Sequence, residues 1–566
     1  MRSKTWRRAP AWLRNLRLAL LSGAAAALIL PTRLAAAAEP AAPVPDPGPG
    51  AQVYNIRAFG ARGDAATLDT AAVQAAIDAC TRDRGGIVLV PAGDFLVGSL
   101  ELKSNVVLRL AARGRLLGSA NIADYRAGRG IPSDNGNLAL LSAVDVENVA
   151  IEGSGTIDGQ GAKFLPGAKD DGESEPGRPR AHLLVFYRCR HLRLRDALLT
   201  NSSYHCVRIL QCDDVGIDGV RIRNRVIFNN DGFHFNSSQH VMISHCSVVC
   251  EDDACALFGS NRDITVTNCT FSTRWSVFRF GGGDCENITV SNCVMTDVFG
   301  CPIKMQAGAG DRLENMVFSH LVMRNVTGPI YIGLGSAPRN ALRPEQIRSG
   351  GIVRNIQFRD ITATVAAQPD LGAFPFLPGT PISDVYPGEH HTCISLTSVP
   401  GQEIEDIVFS DVSVTYAGGG TREMGARRDV PQVSGGEYFA CGVLPAYGLY
   451  ARHVRGLTLN NVRFTVATPD RRPAIVLDHT SDVLAQGLAV QGSPEAEATL
   501  RVIDSRGVRL AAPRLLTAAA AFLQIEGPGN AGLALEGGDL GNATQAVVYD
   551  RGASSAALRR RDEQTP

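Results

Sequence analysis

Short runs that alternate apolar and polar residues recur through the middle of the chain. Val241-Met-Ile-Ser-His-Cys-Ser-Val248 is followed by Ile264-Thr-Val-Thr-Asn-Cys-Thr-Phe271, by Ile288-Thr-Val-Ser-Asn-Cys-Val-Met295 and by Met316-Val-Phe-Ser-His-Leu-Val-Met323. Their starts fall 23, 24 and 28 residues apart; earlier copies begin near Leu192 and Val215, later ones near Ile356, Ile407 and Leu457, and weaker ones run to Leu533. Alternation at period two is the mark of a strand with one buried face. A period in the low twenties holding several short strands marks a solenoid, whose units bury their apolar faces only by stacking. The expectation is an all-β chain folded as a parallel β-helix.

The cysteines share the phase of this repeat. Cys246, Cys269 and Cys293 occupy equivalent places in successive copies. Equivalent residues of a stacked solenoid lie about 4.8 Å apart, so the three are expected as an inner column of buried thiols. A Cys250–Cys255 disulfide stays open, because the chain has 13 cysteines and looks exported. Ahead of the first strands, Asp69-Thr70 opens a stretch in which Val73, Ala76, Ile77 and Cys80 fall on one helical face. This predicts a capped helix that covers the N-terminal end of the stack, whose open strand edges would otherwise invite aggregation.

Composition narrows the class. Lys+Arg and Asp+Glu are both 56, so the chain lacks the basic excess of a nucleic-acid binder, and no nucleic-acid partner is expected. With 59 glycines and 6% aromatics it suits short strands and tight turns. Arg7, Arg8, Arg14 and Arg17 precede an apolar run from Leu18 to Leu30 and small residues at Ala36–Ala38. That is the layout of an export signal, with general and twin-arginine routes both open, and the run is shorter than a membrane span needs. The expected organisation is a signal peptide over 1–38, a linker over 39–50, the solenoid over 51–550 and a flexible tail over 551–566. The protein is expected to be secreted or periplasmic, monomeric, without stable membrane insertion, cofactor or bound metal. Long interruptions at Gly159–Arg180, Ala367–His391 and Ala417–Tyr438 are expected to gather around a binding face.

Counted back from the next repeat strand, His205, Asp231, Asp253, Arg279 and Lys304 stand nine to twelve residues ahead. A common phase predicts one outer column, with Asp231 brought beside Asp252 and Asp253. Carboxylates held close cannot all ionise, which sets a proton-bearing acid beside a base, the need of glycoside hydrolysis. Arg279 and Lys304 offer charge-assisted contacts to sugar carboxylates. Taken singly, Asp231-Gly232 is a common turn pair and Asp252-Asp253 a common turn or calcium ligand pair; the shared phase favours a site.

Asn229-Asn230-Asp231-Gly232-Phe233-His234 and Glu251-Asp252-Asp253-Ala254 resemble the Asn-Thr-Asp-Gly and Gly-Asp-Asp signatures of family 28 glycoside hydrolases, the polygalacturonases and rhamnogalacturonan hydrolases. Tyr54–Gly60 with Gly63-Asp64, Gly153–Gly161 and Asn201-Ser-Ser-Tyr204-His205 are similar to further segments of that family, and the resemblance spans about 53–335. It implies a right-handed β-helix of the pectin-lyase-like superfamily and inverting hydrolysis of pectin or a related acidic polysaccharide. Asp252 would then be the acid, and Asp231 and Asp253 would activate water. Lys304, Arg279, His205, Tyr204, His234 and Tyr331 would contact substrate. The chain departs from the pattern twice: Trp275-Ser276-Val277 stands where the family has Gly-His-Gly, and Pro302 replaces the arginine of Arg-Ile-Lys, leaving Arg279 as the substitute cation. A polysaccharide lyase and a non-catalytic carbohydrate-binding β-helix are the alternatives on the same scaffold.

Overall fold

The computed structural model describes residues 52–561, apart from 129, 133–136, 165–179, 228, 309, 336–349, 369–386 and 433–437. The expected signal peptide and linker lie outside the described residues. From Val53 onward the chain winds as a right-handed parallel β-helix, the hand that parallel crossovers take in L-amino-acid chains. One sheet has 16 strands and the other 28, and among the described pairings only Arg126–Ala127 with Leu138–Val144 is antiparallel.

The larger sheet bends around a corner, and the repeat motif shows why. His245, Asn268, Asn292 and His320 have φ between 53° and 55°, a left-handed turn that asparagine adopts more readily than most residues. The next residue then points inward, giving a buried column of Val220, Cys246, Cys269, Cys293, Leu321 and Ile361. The thiols are therefore internal, as their phase implies; Cys269 Sγ accepts the Cys246 amide at 3.4 Å. All thirteen cysteines are free, so Cys250 and Cys255 are not bonded.

Helix α1 (Thr70–Arg82) closes the N-terminal end with Val73, Ala76, Ile77 and Cys80 buried. Asp69 sits at its N-cap position, but its carboxylate accepts the amides of Arg62 and Gly63 instead of capping the helix. At the other end the expected flexible tail is corrected. Leu558–Arg561 pairs in parallel with Leu533–Glu536, so the coil continues past 550. Three arginines on this outermost strand put charge on an edge that would otherwise template further pairing. The Ala417–Tyr438 interruption contains a short helix, α2 (Arg422–Ala426). Most of the other two interruptions lies outside the described residues.

Candidate active site

Six strands of the 16-stranded sheet build the site: β1 (Val207–Leu210), β2 (Phe233–Asn236), β3 (Cys255–Phe258), β4 (Phe278–Gly281), β5 (Ile303–Ala307) and β6 (Ile330–Leu334). Each pairs in parallel with the next. Phe233 and Phe235 of β2 point into the core and are fully buried, which turns His234 outward between them.

Register corrects the single column expected from counting. His205, Asp231 and Asp253 do stand in one row, each two residues ahead of its strand. Arg279 and Lys304 instead occupy a second row three positions on, in register as Arg208–His234–Ala256–Arg279–Lys304–Tyr331. The count failed because turns of different length separate these residues from the next repeat strand. The two rows still adjoin, and Arg279 Nε lies 3.9 Å from Asp253 Oδ2.

Side chains from neighbouring rungs lock the aspartate loops. Asn230 is fully buried; its Oδ1 accepts the amides of Val226 and Ile227, and its Nδ2 donates to the carbonyls of Ser202 and Tyr204. Asn224 Nδ2 donates to the Asp231 carbonyl at 3.2 Å. Gly232 donates to the Asp253 carbonyl, and a Cβ there would lie 2.5 Å from the Ala254 oxygen, so glycine is required. Thr273 Oγ1 and Cys250 Sγ both donate to the Asp252 carbonyl. The carboxylates are thus carried on a braced backbone.

Their electrical settings differ. Asp252 Oδ1 accepts the Asp253 amide at 2.8 Å. Burial, then the charges of Asp231 and Asp253, push its pKa well above the ordinary carboxylate value, with Lys304 opposing. Part of its surface still faces outward, so a proton held there can reach a ligand. Asp231 Oδ2 lies 2.7 Å from His234 Nδ1, and its Oδ1 lies 3.8 Å from His205 Nε2. Asp253 Oδ1 accepts the Ser276 amide. Burial, then the neighbouring His234, His182, Arg208 and Arg180, hold the His205 pKa well below its usual value.

A ribbon of rings crosses the rungs. Arg180 lies 4.4 Å over Tyr204, Tyr204 stacks on His205 at 4.2 Å, and His205 stacks on His234 at 4.4 Å. Phe258 follows at 5.3 Å, with Arg279 beyond it. Arg180 and Phe258 carried no motif signal. Tyr331 is 3% exposed and packs with Cys301 and Tyr438, one rung beyond Lys304. Trp275 stands one rung beyond Asp252, since Ser276 follows Asp253 in register. Its indole has Arg274 at 4.9 Å and Lys304 Nζ at 5.4 Å. A separate hollow of about 520 Å³, lined by Asp158, Lys163, Asn201, Arg223 and Arg225 among others, includes none of the three aspartates.

Braced carboxylates on adjacent rungs, one with its pKa raised by burial, on an outer strand face with two cations in register, fit a glycoside hydrolase on a β-helix. Residues 80–373 match the family model of glycosyl hydrolases family 28, and the chain belongs to that family. It is 26% identical over 334 residues to polygalacturonase-2 of Solanum lycopersicum, covering 56% of this chain and 70% of that one. It is also 26% identical over 336 residues to the exo-poly-alpha-D-galacturonosidase of Dickeya chrysanthemi, covering 49% and 56%. Among solved structures, an exopolygalacturonase from Thermotoga maritima superposes with a TM-score of 0.55 at 20% identity, over 73% of this chain and 92% of that one. The family 28 exopolygalacturonase of Yersinia enterocolitica gives 0.54 at 20%, over 78% of each. These two establish the fold.

Proposed function

We propose that this hydrolase cleaves pectin or a closely related acidic polysaccharide, with Asp252 as general acid and Asp231 and Asp253 activating water. The observation that carries the reading is the environment of Asp252. Enclosure and two flanking carboxylates favour its neutral form, leaving a proton ready for the glycosidic oxygen. As the bond between the anomeric carbon and that oxygen breaks, the Asp252 proton moves to the departing oxygen. Water attacks the anomeric carbon from the opposite face and gives its proton to the Asp231–Asp253 pair. His234 orients Asp231 through their 2.7 Å contact.

Arg279 and Lys304, adjacent in register, suit a polymer that carries a carboxylate on successive sugars. The relatives named above as polygalacturonases support the same substrate class. His205 and Tyr204 extend the surface toward the N-terminal rungs, and Tyr331 extends it one rung beyond Lys304. The charged and apolar N-terminal stretch supports export to the periplasm or medium. Among the described residues no helix is long and apolar enough to cross a membrane.

The test is hydrolysis of a panel of pectic polysaccharides, reading new reducing ends and the anomeric form of the product by NMR. Release of the inverted anomer, lost in Asp252→Asn, is expected. Ultraviolet absorbance from a new conjugated double bond would mark a lyase instead and overturn the reading.

A further inference from the structure

His205, Asp231 and His234 form a cluster of their own within the site. Each presents a ligand atom, and these atoms all lie within 4.8 Å of one another. They come from adjacent rungs: His205 leads into β1, while Asp231 precedes β2 and His234 lies within it. His234 Nδ1 lies 2.7 Å from Asp231 Oδ2, and His205 Nε2 lies 3.8 Å from the other carboxylate oxygen, Oδ1. A cation with bonds of about 2.0–2.2 Å to nitrogen and oxygen needs its ligands roughly 3.3 Å apart. The observed spacings straddle that value, so small side-chain movements admit the ion.

We propose that this triad is a binding site for a zinc-class divalent cation, and that occupancy shuts the enzyme off reversibly. Two imidazoles and one carboxylate form a borderline-soft donor set that suits zinc, copper or nickel, whereas calcium and magnesium favour all-oxygen shells. Three protein ligands leave a coordination position for water. The braced loops hold the backbone of Asp231 in place before any ion arrives. The Asp253 carboxylate lies nearby, whereas Arg180 and Arg208 beside His205 oppose a bound cation. The site is therefore weaker than a closed structural zinc centre, and suited to sensing metal rather than keeping it.

The inhibitory part rests on Asp231 acting as a water-activating carboxylate. A cation bound there occupies the oxygens that must receive the proton from water and also ties up His205 and His234, the imidazoles read as substrate contacts, so metal and substrate exclude one another.

The experiment uses the full chain carrying Asp252→Asn, which leaves the triad intact while silencing hydrolysis. Metal-free protein is titrated calorimetrically with Zn²⁺, and Co²⁺ serves as a spectroscopic probe. One Zn²⁺ per chain is expected, with affinity reduced at least tenfold by His205→Ala or His234→Ala. His240→Ala, whose surface imidazole pairs with Asp213, should leave it unchanged. Bound Co²⁺ should show the intense visible bands of a low-coordinate nitrogen-ligated ion, a readout independent of how well the alanine variants fold. No binding, binding untouched by both alanine variants, or the weak spectrum of hydrated Co²⁺ overturns the site. In the wild-type enzyme Zn²⁺ should raise the apparent KM at constant kcat, and a chelator should restore it. Binding without inhibition overturns the competitive part and counts against Asp231 as the water-activating group. If no polysaccharide is hydrolysed at all, the calorimetric and spectral arms still decide the metal site.

Discussion

Arg274 and Glu389, 115 residues apart, form an ion pair that solvent does not reach, at 3.4 Å through both terminal guanidinium nitrogens, Nη1 and Nη2. Thr327 and Tyr438 also donate to the Glu389 carboxylate, and Arg274 donates to the Phe299 carbonyl. The Arg274 guanidinium lies against Trp275, and Lys304 lies near the same indole. The segment around Glu389 is thereby tied beneath the far end of the site. Glu389→Ala leaves a buried arginine without its counter-charge and should cost about 3–5 kcal/mol. Chemical denaturation measures this, and pairing it with Arg274→Met should recover much of the loss. Equal stability of wild type and Glu389→Ala would show the pair to be irrelevant.

Asp252→Asn keeps the shape of the side chain and cannot donate a proton. It should lower kcat by roughly 10²–10⁴-fold while substrate still binds. A substrate with an activated leaving group, which needs little protonation, should recover most of the rate. Equal losses on natural and activated substrates would assign the residue another role.

The same substitution should stabilise the fold at neutral pH. Because the folded-state pKa of Asp252 is raised, first by burial and then by Asp231 and Asp253, the folded chain holds a proton that the unfolded chain has lost. Stability is full below the ordinary carboxylate pKa and declines as pH rises toward the folded value. Asparagine removes that dependence, so the Tm difference between Asp252→Asn and wild type should grow from acid to neutral pH. A constant difference would contradict the perturbed carboxyl.

Arg279→Ala should act mainly on binding. The lost charge-assisted contact is worth about 1.5–3 kcal/mol, read as a roughly ten- to hundred-fold rise in KM on a uronate polymer. A neutral glycan should show little change. A fall in kcat with KM unchanged would place Arg279 in the chemistry through its neighbour Asp253.

His205 gives a pH effect of opposite sign. Its folded-state pKa lies well below the usual histidine value, chiefly through burial. The unfolded chain takes up a proton as pH falls through about 6.5, while the folded chain resists it. Stability should therefore drop on acidification below that point, and His205→Gln should flatten the drop. Denaturation midpoints at several pH values measure it.

What the sequence by itself determined was local and periodic. The repeat of alternating residues specifies strands, and a left-handed Asn or His before an inward Cys specifies the corner that bends each rung. The row His205–Asp231–Asp253 was legible because its members stand ten, ten and eleven residues ahead of their repeat strands, so the intervening turns are nearly equal in length. Tertiary structure decided everything that depends on register across rungs. Arg279 and Lys304 moved to a second row because their separation from the next repeat strand includes turns of unequal length, and strand pairing alone sets their height. Glu389 reaching Arg274, Tyr438 reaching Glu389, and Arg428 reaching Glu497 and Glu526 have no periodic signature. Long-range ion pairs of this kind are chosen by which loops fold back onto which rung, and that follows from packing rather than from spacing along the chain. The final strand Leu558–Arg561 was hidden for a related reason: its arginines read as a solvated tail until the edge of the stack gives their backbone a partner.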